Sequence, residues 1–203
     1  MRMKIVVTVS NEDEVRLAEK ADIIEFRLDL GNFSFKTDKE KILTIRRKVD
    51  GGSFEGDENE RLKKIVELSK LFEYVDLEVD VPEWVFEELK KNNKKIEIIE
   101  SYHNFKETPN YLSLKDLVEN RRGDILKIAT LGKSFEDVKK ITRILLDYEK
   151  VVAFLIGEKY SFTRVLSIFL GAPLIYCYVL KPKAPGQLEL NFVYDLLKKV
   201  GLK

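Results

Sequence analysis

Lys127 lies in the middle of Asp124-Ile125-Leu126-Lys127-Ile128-Ala129-Thr130-Leu131-Gly132, a short apolar run with branched residues that ends on glycine. A run of this kind reads as a strand of a parallel sheet buried on both faces. An ammonium is costly to bury, so a dry site lowers the lysine pKa and leaves a neutral, nucleophilic amine. That is the state an imine-forming lysine requires. The alternative is a lysine whose stem packs while its head reaches water. His103, the only histidine, closes another strand-like run, Ile98-Ile99-Glu100-Ser101-Tyr102-His103. A lone histidine is more often structural than catalytic. At a strand end, one strand away from a buried lysine, it reads as the group that moves protons near neutral pH.

Charge recurs at alternate positions of other runs. Glu25, Arg27 and Asp29 share one face of the second, with Ile24, Phe26 and Leu28 on the other. Thr44 and Arg46 fall together on the third, Asp76, Glu78 and Asp80 on the fourth, and Ser101 and His103 on the fifth. A solvated antiparallel sheet would alternate in the same way. Where helices cover the outer face, the polar face must instead be the interior of a closed sheet. Acidic, basic and imidazole groups then converge at the strands' C-terminal ends. For any single charge, a structural ion pair explains the placement about as well as a functional role does. Recurrence on consecutive strands favours a site.

The elements that position these groups are eight strand-like runs: Lys4–Ser10, Asp22–Leu28, Ile42–Lys48, Glu73–Val79, Lys95–His103, Asp124–Thr130, Val151–Ile156 and Leu174–Leu180. Most are separated by amphipathic segments of helical length: Asn59–Phe72, Glu83–Asn92, Ser113–Asn120, Ser134–Glu149 and Leu188–Val200. Asn11 or Asp13 can cap a first helix, and Pro82-Glu83 and Ser134 with Glu136-Asp137 suit first turns. Strands alternating with helices predict an α/β fold with a parallel sheet, and eight units predict a single-domain (β/α)8 TIM barrel over 1–203. The chain is short for a barrel, and the Asp29–Lys41 gap leaves room for only a short second helix, or none. An open doubly wound sheet is the alternative. The Lys181-Pro182-Lys183-Ala184-Pro185-Gly186-Gln187 segment after the last strand reads as a connection or as a lid over the barrel mouth.

Composition excludes several classes. With 36 basic and 35 acidic residues, no electrostatic footprint for nucleic acid or an acidic membrane exists. Cys177 is the only cysteine, so no intrachain disulfide forms, which suits a reducing cytoplasm. One Cys and one His lack metal-ligand spacing, and no metal is expected. The longest apolar stretch, Val165–Leu180, is broken by Gly171 and Pro173 and is short for a bilayer.

The chain resembles the type I 3-dehydroquinate dehydratases of the shikimate pathway from Lys4 to Leu197. The matching motifs are Ile24-Glu25-Phe26-Arg27-Leu28-Asp29, Asp76-Leu77-Glu78, Ser101-Tyr102-His103-Asn104-Phe105, Lys127-Ile128-Ala129, Ser161-Phe162-Thr163-Arg164 and Ala184-Pro185-Gly186-Gln187. The resemblance implies a (β/α)8 barrel that converts 3-dehydroquinate to 3-dehydroshikimate through a lysine imine, with no metal or cofactor. It implies that Lys127 attacks the C3 ketone and that His103 removes the C2 proton and protonates the departing C1 hydroxyl. Glu78 would orient His103 and favour its protonated state. Arg164 would clamp the substrate carboxylate, Glu25, Arg27 and Arg46 would hold hydroxyls and the polar network round the imine, and Gln187 would close the lid. The chain departs from the family at Lys183, where a serine is usual; a lysine there would pair with the substrate carboxylate or point to solvent. The N-terminal hairpin of bacterial members is expected to be missing and the second helix trimmed. The family's frequent dimers make a homodimer the expected partner besides substrate.

Two rival readings share these residues. A class I aldolase barrel also uses a strand-six lysine, but it would not need the Glu-Phe-Arg, Ser-Tyr-His and Ala-Pro-Gly-Gln runs, and no clear glycine-rich phosphate loop follows strands seven or eight. A non-catalytic barrel binding protein would bind dehydroquinate without turning it over.

Overall fold

Strands form where branched and aromatic residues cluster. They are β1 (Lys4–Val9), β2 (Ile23–Arg27), β3 (Glu40–Thr44), β4 (Tyr74–Glu78), β5 (Glu97–Asn104), β6 (Ile125–Leu131), β7 (Val151–Ile156), β8 (Leu174–Tyr178) and the two-residue β9 (Leu188–Glu189). The computed structural model describes residues 3–32 and 34–203. All ladders are parallel, in the order β7-β6-β5-β4-β3-β2-β1-β8-β9. The sheet curls: Lys127 on β6 touches Asp76 on β4 and Tyr176 on β8, across its concave face. The architecture is an α/β barrel. Among the described residues no ladder joins β7 to β8.

Helices α1 (Glu12–Arg16), α2 (Glu58–Leu68), α3 (Glu83–Asn92), α4 (Tyr111–Glu119), α5 (Phe135–Asp147), α6 (Phe162–Phe169) and α7 (Leu190–Lys199) complete the elements. Asn11 caps α1 by accepting from the Glu14 amide, and Ser134 with Asp137 forms a capping box on α5. Among the described residues no helix lies between β2 and β3. Helix α6 was not legible because its amphipathicity is inverted. Thr163, Arg164 and Ser167 are buried, while Phe162 and Phe169 are about half exposed. The third strand lies earlier than the expected Ile42–Lys48: β3 spans Glu40–Thr44, and Arg46 follows in the loop. The last helix starts two residues after the expected Leu188, because Leu188–Glu189 pairs with β8.

The interior is layered by the two-residue period of a strand. Val6, Ile23, Ile42, Tyr74, Ile99, Ile125, Val152 and Leu174 form an apolar layer. Two residues further along each strand stand Thr8, Glu25, Thr44, Asp76, Ser101, Lys127, Phe154 and Tyr176. The polar layer therefore rests on a dry floor. Below it, Lys4 Nζ donates to Tyr74 Oη at 2.9 Å and pairs with Glu40 at 2.5 Å, tying the starts of β1, β3 and β4. The intervening residues Val7, Phe26, Leu43, Val75 and Leu77 pack outward into the helix layer.

Candidate active site

Register places the two reactive groups. Glu78 pairs with Ser101 and Ser101 with Lys127, so these inward positions sit side by side on β4, β5 and β6. His103 lies one inward position further up β5, opposite Ala129. Lys127 is 6% exposed, and its Nζ donates to Asp76 Oδ2 at 2.6 Å. Burial lowers the Lys127 pKa, with Asp76 opposing and Arg46 adding to the shift. Burial would raise the Asp76 carboxyl, but Arg46 and Lys127 hold it well below the usual carboxylate range. Asp76 is thus a fixed anion shared by three donors: Lys127, Arg46 Nη2 at 2.8 Å and Ser101 Oγ at 2.5 Å.

His103 lines the same cavity and stacks on Phe105, with ring centroids 6.3 Å apart. Burial, followed by the cations Arg46 and Lys127, lowers its pKa well below the ordinary 6.5, so the imidazole is neutral at physiological pH with a nitrogen free to accept a proton. Gly51 closes against Phe105. Its φ is +79°, and a Cβ there would lie 2.4 Å from the Phe105 ring.

Glu78 does not meet His103. Its carboxylate accepts from Arg61 Nη2 at 2.9 Å and from Arg46 Nη1 at 3.4 Å, while His103 Nδ1 is buried with no hydrogen-bond partner. Arg61, fully buried on α2, also binds the Ile45 carbonyl and Glu58, and so draws Glu78 away from the cavity wall. Glu78 therefore positions Arg46. Asp76, which the sequence places on the polar face of the fourth strand without a role of its own, is the direct lysine partner. Its place on the same strand face was visible, but a choice between it and Glu78 needed the arginines. Asp50, which no sequence motif marks, also lines the cavity and accepts from Arg47 Nε at 2.6 Å. Asp76→Asn would leave Arg46 and Lys127 buried with less compensation. A loss of about 3–5 kcal/mol in unfolding free energy is expected by urea denaturation.

The remaining expected residues converge. Glu25 accepts from Thr8 Oγ1 at 2.7 Å and Thr44 Oγ1 at 2.9 Å, and Arg27 forms a two-pronged pair with Asp29 at 2.8 and 2.6 Å. Arg46, Glu25 and Arg27 all face the cavity. Gln187 is buried in the lid: Nε2 donates to Thr8 Oγ1 at 3.2 Å and the Cys177 carbonyl at 3.0 Å, and Oε1 accepts from the Lys183 amide at 2.7 Å. Gly186, with φ +73°, lets the lid approach the Gly157 carbonyl, where a Cβ would stand 2.4 Å away. Lys183 lines the cavity and does not point to solvent: its ammonium pairs with the buried Glu14 of α1, which also accepts from the amide and hydroxyl of Ser10.

Arg164 is the exception among the cations. It is 4% exposed, and among the described residues it has no carboxylate partner. Nη2 donates to the Pro185 carbonyl at 3.3 Å, Nε is unpartnered, and the guanidinium lies 4.0 Å from the Phe154 ring centroid. Burial lowers its pKa to about 10, so it remains cationic at neutral pH. A buried, uncompensated guanidinium facing a cavity is a receptor for a planar anion. Among the described residues no group of three or more His, Cys, Asp or Glu is placed to hold a metal ion, and no helix is long and apolar enough to cross a membrane.

A parallel barrel with a buried lysine within β6, a neutral histidine lining the same cavity and a guanidinium there without a carboxylate partner fits the imine-forming class of barrel enzymes. Comparison with known proteins narrows that class. The family model described as type I 3-dehydroquinase matches residues 6–202, and the chain belongs to that family. It is 54% identical to the 3-dehydroquinate dehydratase of Archaeoglobus fulgidus, over 98% of this chain and all of the relative. It is 34% identical to that of Methanocaldococcus jannaschii, over 98% of each. The crystal structure of 3-dehydroquinate dehydratase from Aquifex aeolicus superposes with a TM-score of 0.81 at 28% identity, covering 97% of this chain and 98% of that one.

Proposed function

We infer that the chain is a 3-dehydroquinate dehydratase, a hydro-lyase of the shikimate pathway acting through a Schiff base, with one barrel domain carrying the whole site. The observation that carries this reading is the pairing, in one cavity, of a buried amine at Lys127 with the uncompensated guanidinium of Arg164. The first calls for a carbonyl, the second for a carboxylate, and 3-dehydroquinate has both.

In this reading the neutral Lys127 amine attacks the C3 carbonyl; water leaves and a protonated imine forms. The iminium withdraws electrons from C2, and His103 takes the C2 proton. The resulting enamine expels the C1 hydroxyl, to which His103 returns the proton, so that water departs. Hydrolysis of the conjugated imine then frees product and lysine. Asp76 steadies the cationic nitrogen. Arg164 binds the substrate carboxylate, Glu25, Arg27 and Arg46 hold hydroxyls, and Gln187 keeps the lid down. Lys183 acts through Glu14 by tying the lid to α1. Glu78 serves the site through Arg46. A reducing cytoplasm suits the lone buried Cys177, and a homodimer is the oligomer to test by light scattering.

Turnover is tested by the rise in ultraviolet absorbance of the conjugated enone on adding 3-dehydroquinate; binding without that rise would favour a non-catalytic protein. Arg164→Met is expected to raise KM on the order of 30-fold or more, as loss of a charge-assisted pair of about 2 kcal/mol or more requires. Thermal stability should hold or increase, because the buried cation removed has no carboxylate partner in the free protein and keeps only the Pro185 carbonyl and the Phe154 ring. An unchanged KM in steady-state assays would remove Arg164 from the carboxylate site.

A further inference from the structure

Tyr176 is used by none of the roles above, yet it touches the reacting atom. It lies on β8 between Ile175 and Cys177, which pack outward, so its ring points into the barrel. It is 5% exposed, and Lys127 Nζ sits 4.6 Å from the ring centroid. Resting on the imine reading, we propose that Tyr176 is a further catalytic residue, whose ring face stabilises the positive charge of the protonated imine at Lys127.

The chemistry explains why a ring is useful beside a carboxylate. The ammonium of Lys127 has three N–H donors, but the imine nitrogen, once bonded to the substrate carbon, keeps one. Asp76 is already divided between Arg46, Ser101 and Lys127. A ring face needs no donor. Its quadrupole acts on the charge itself and is strongest where water is excluded. The free amine loses its charge at high pH, whereas the iminium carries charge as long as it is protonated, so the ring favours the intermediate over the neutral lysine.

The phenol hydroxyl takes no part in placing the ring: it is buried and has no hydrogen-bond partner. Burial, with Asp76 and Glu25 nearby, pushes its ionisation well above the ordinary range, so it remains a neutral aromatic and does not become a rival anion for the lysine. The ring is the working part, and phenylalanine should replace it.

The test compares Tyr176→Phe, Tyr176→Leu and Tyr176→Met, the last filling the volume flexibly without a ring. For each folded variant, kcat/KM is followed against pH, and the lysine adduct with 3-dehydroquinate is trapped by borohydride and weighed by intact mass. Loss of the ring should reduce trapped adduct and kcat/KM by roughly tenfold to thirtyfold. It should also move the pH limb set by Lys127 to lower pH, since the ammonium loses the same support. Tyr176→Phe should recover most of that loss. Wild-type adduct levels and an unshifted limb in folded Tyr176→Leu or Tyr176→Met would overturn the proposal and leave a packing role. Equal damage in Tyr176→Phe would also overturn it by pointing to the hydroxyl. Absence of adduct in the unsubstituted protein would overturn the imine reading itself, and this proposal with it.

Discussion

Lys127→Ala is expected to remain folded and to lose dehydratase activity by a factor on the order of 10⁴ to 10⁶, the range seen when a covalent nucleophile is removed from a site that otherwise still binds. The fold should survive because the removed group is itself a buried cation whose charge burial opposes. Asp76 keeps Arg46 and Ser101 after the change, so no orphaned carboxylate remains. Substrate should still bind through Arg164, giving a normal thermal shift with 3-dehydroquinate and no enone. Full turnover by this variant would refute the covalent mechanism.

His103→Ala should separate the two halves of the reaction. Lys127 is placed by β6 and Asp76, neither of which depends on the imidazole, so imine formation should persist, more slowly. Dehydration should fall by about 10²- to 10⁴-fold, the usual contribution of a positioned acid–base group. Adduct trapped by borohydride should then carry the mass of the substrate imine in place of the product imine. The pH dependence follows from the direction of the His103 shift. Because its folded pKa lies below 6.5, the acid limb of kcat/KM should also fall below 6.5. The same depression has a stability consequence. Below pH 6.5 the unfolded chain takes up a proton that the folded one refuses, so stability should decline on acidification by up to about 1.4 kcal/mol per pH unit from this group. His103→Ala should flatten that decline in urea titrations between pH 7 and 5, and an identical slope in both proteins would contradict the assignment.

Much of this site was legible in the sequence because strands obey a two-residue period. Glu25 with Arg27, Asp76 with Glu78, and Ser101 with His103 fall inward by arithmetic alone, and Lys127 stands out as a charge in a run that a parallel barrel must bury. What the period cannot supply is partnership between strands. Whether Asp76 or Glu78 serves the lysine depends on where Arg46 and Arg61 reach, and Arg61 comes from a helix that the pattern assigns to the outer layer. Lys183 illustrates the same limit, since its partner Glu14 is far away in sequence on a short helix beside the barrel mouth. Helix α6 is hidden in the sequence for a different reason. Its polar face is the buried one because it delivers Arg164 to the cavity, and that reverses the usual reading of hydropathy.

The most direct test of the central claim is borohydride trapping on the unsubstituted chain: incubation with 3-dehydroquinate, reduction, intact mass and peptide mapping. The account predicts a stable adduct on the peptide containing Lys127 and on no other lysine peptide. A folded protein that turns over substrate yet yields no adduct, or one carrying it on another lysine, would contradict the mechanism built on Lys127.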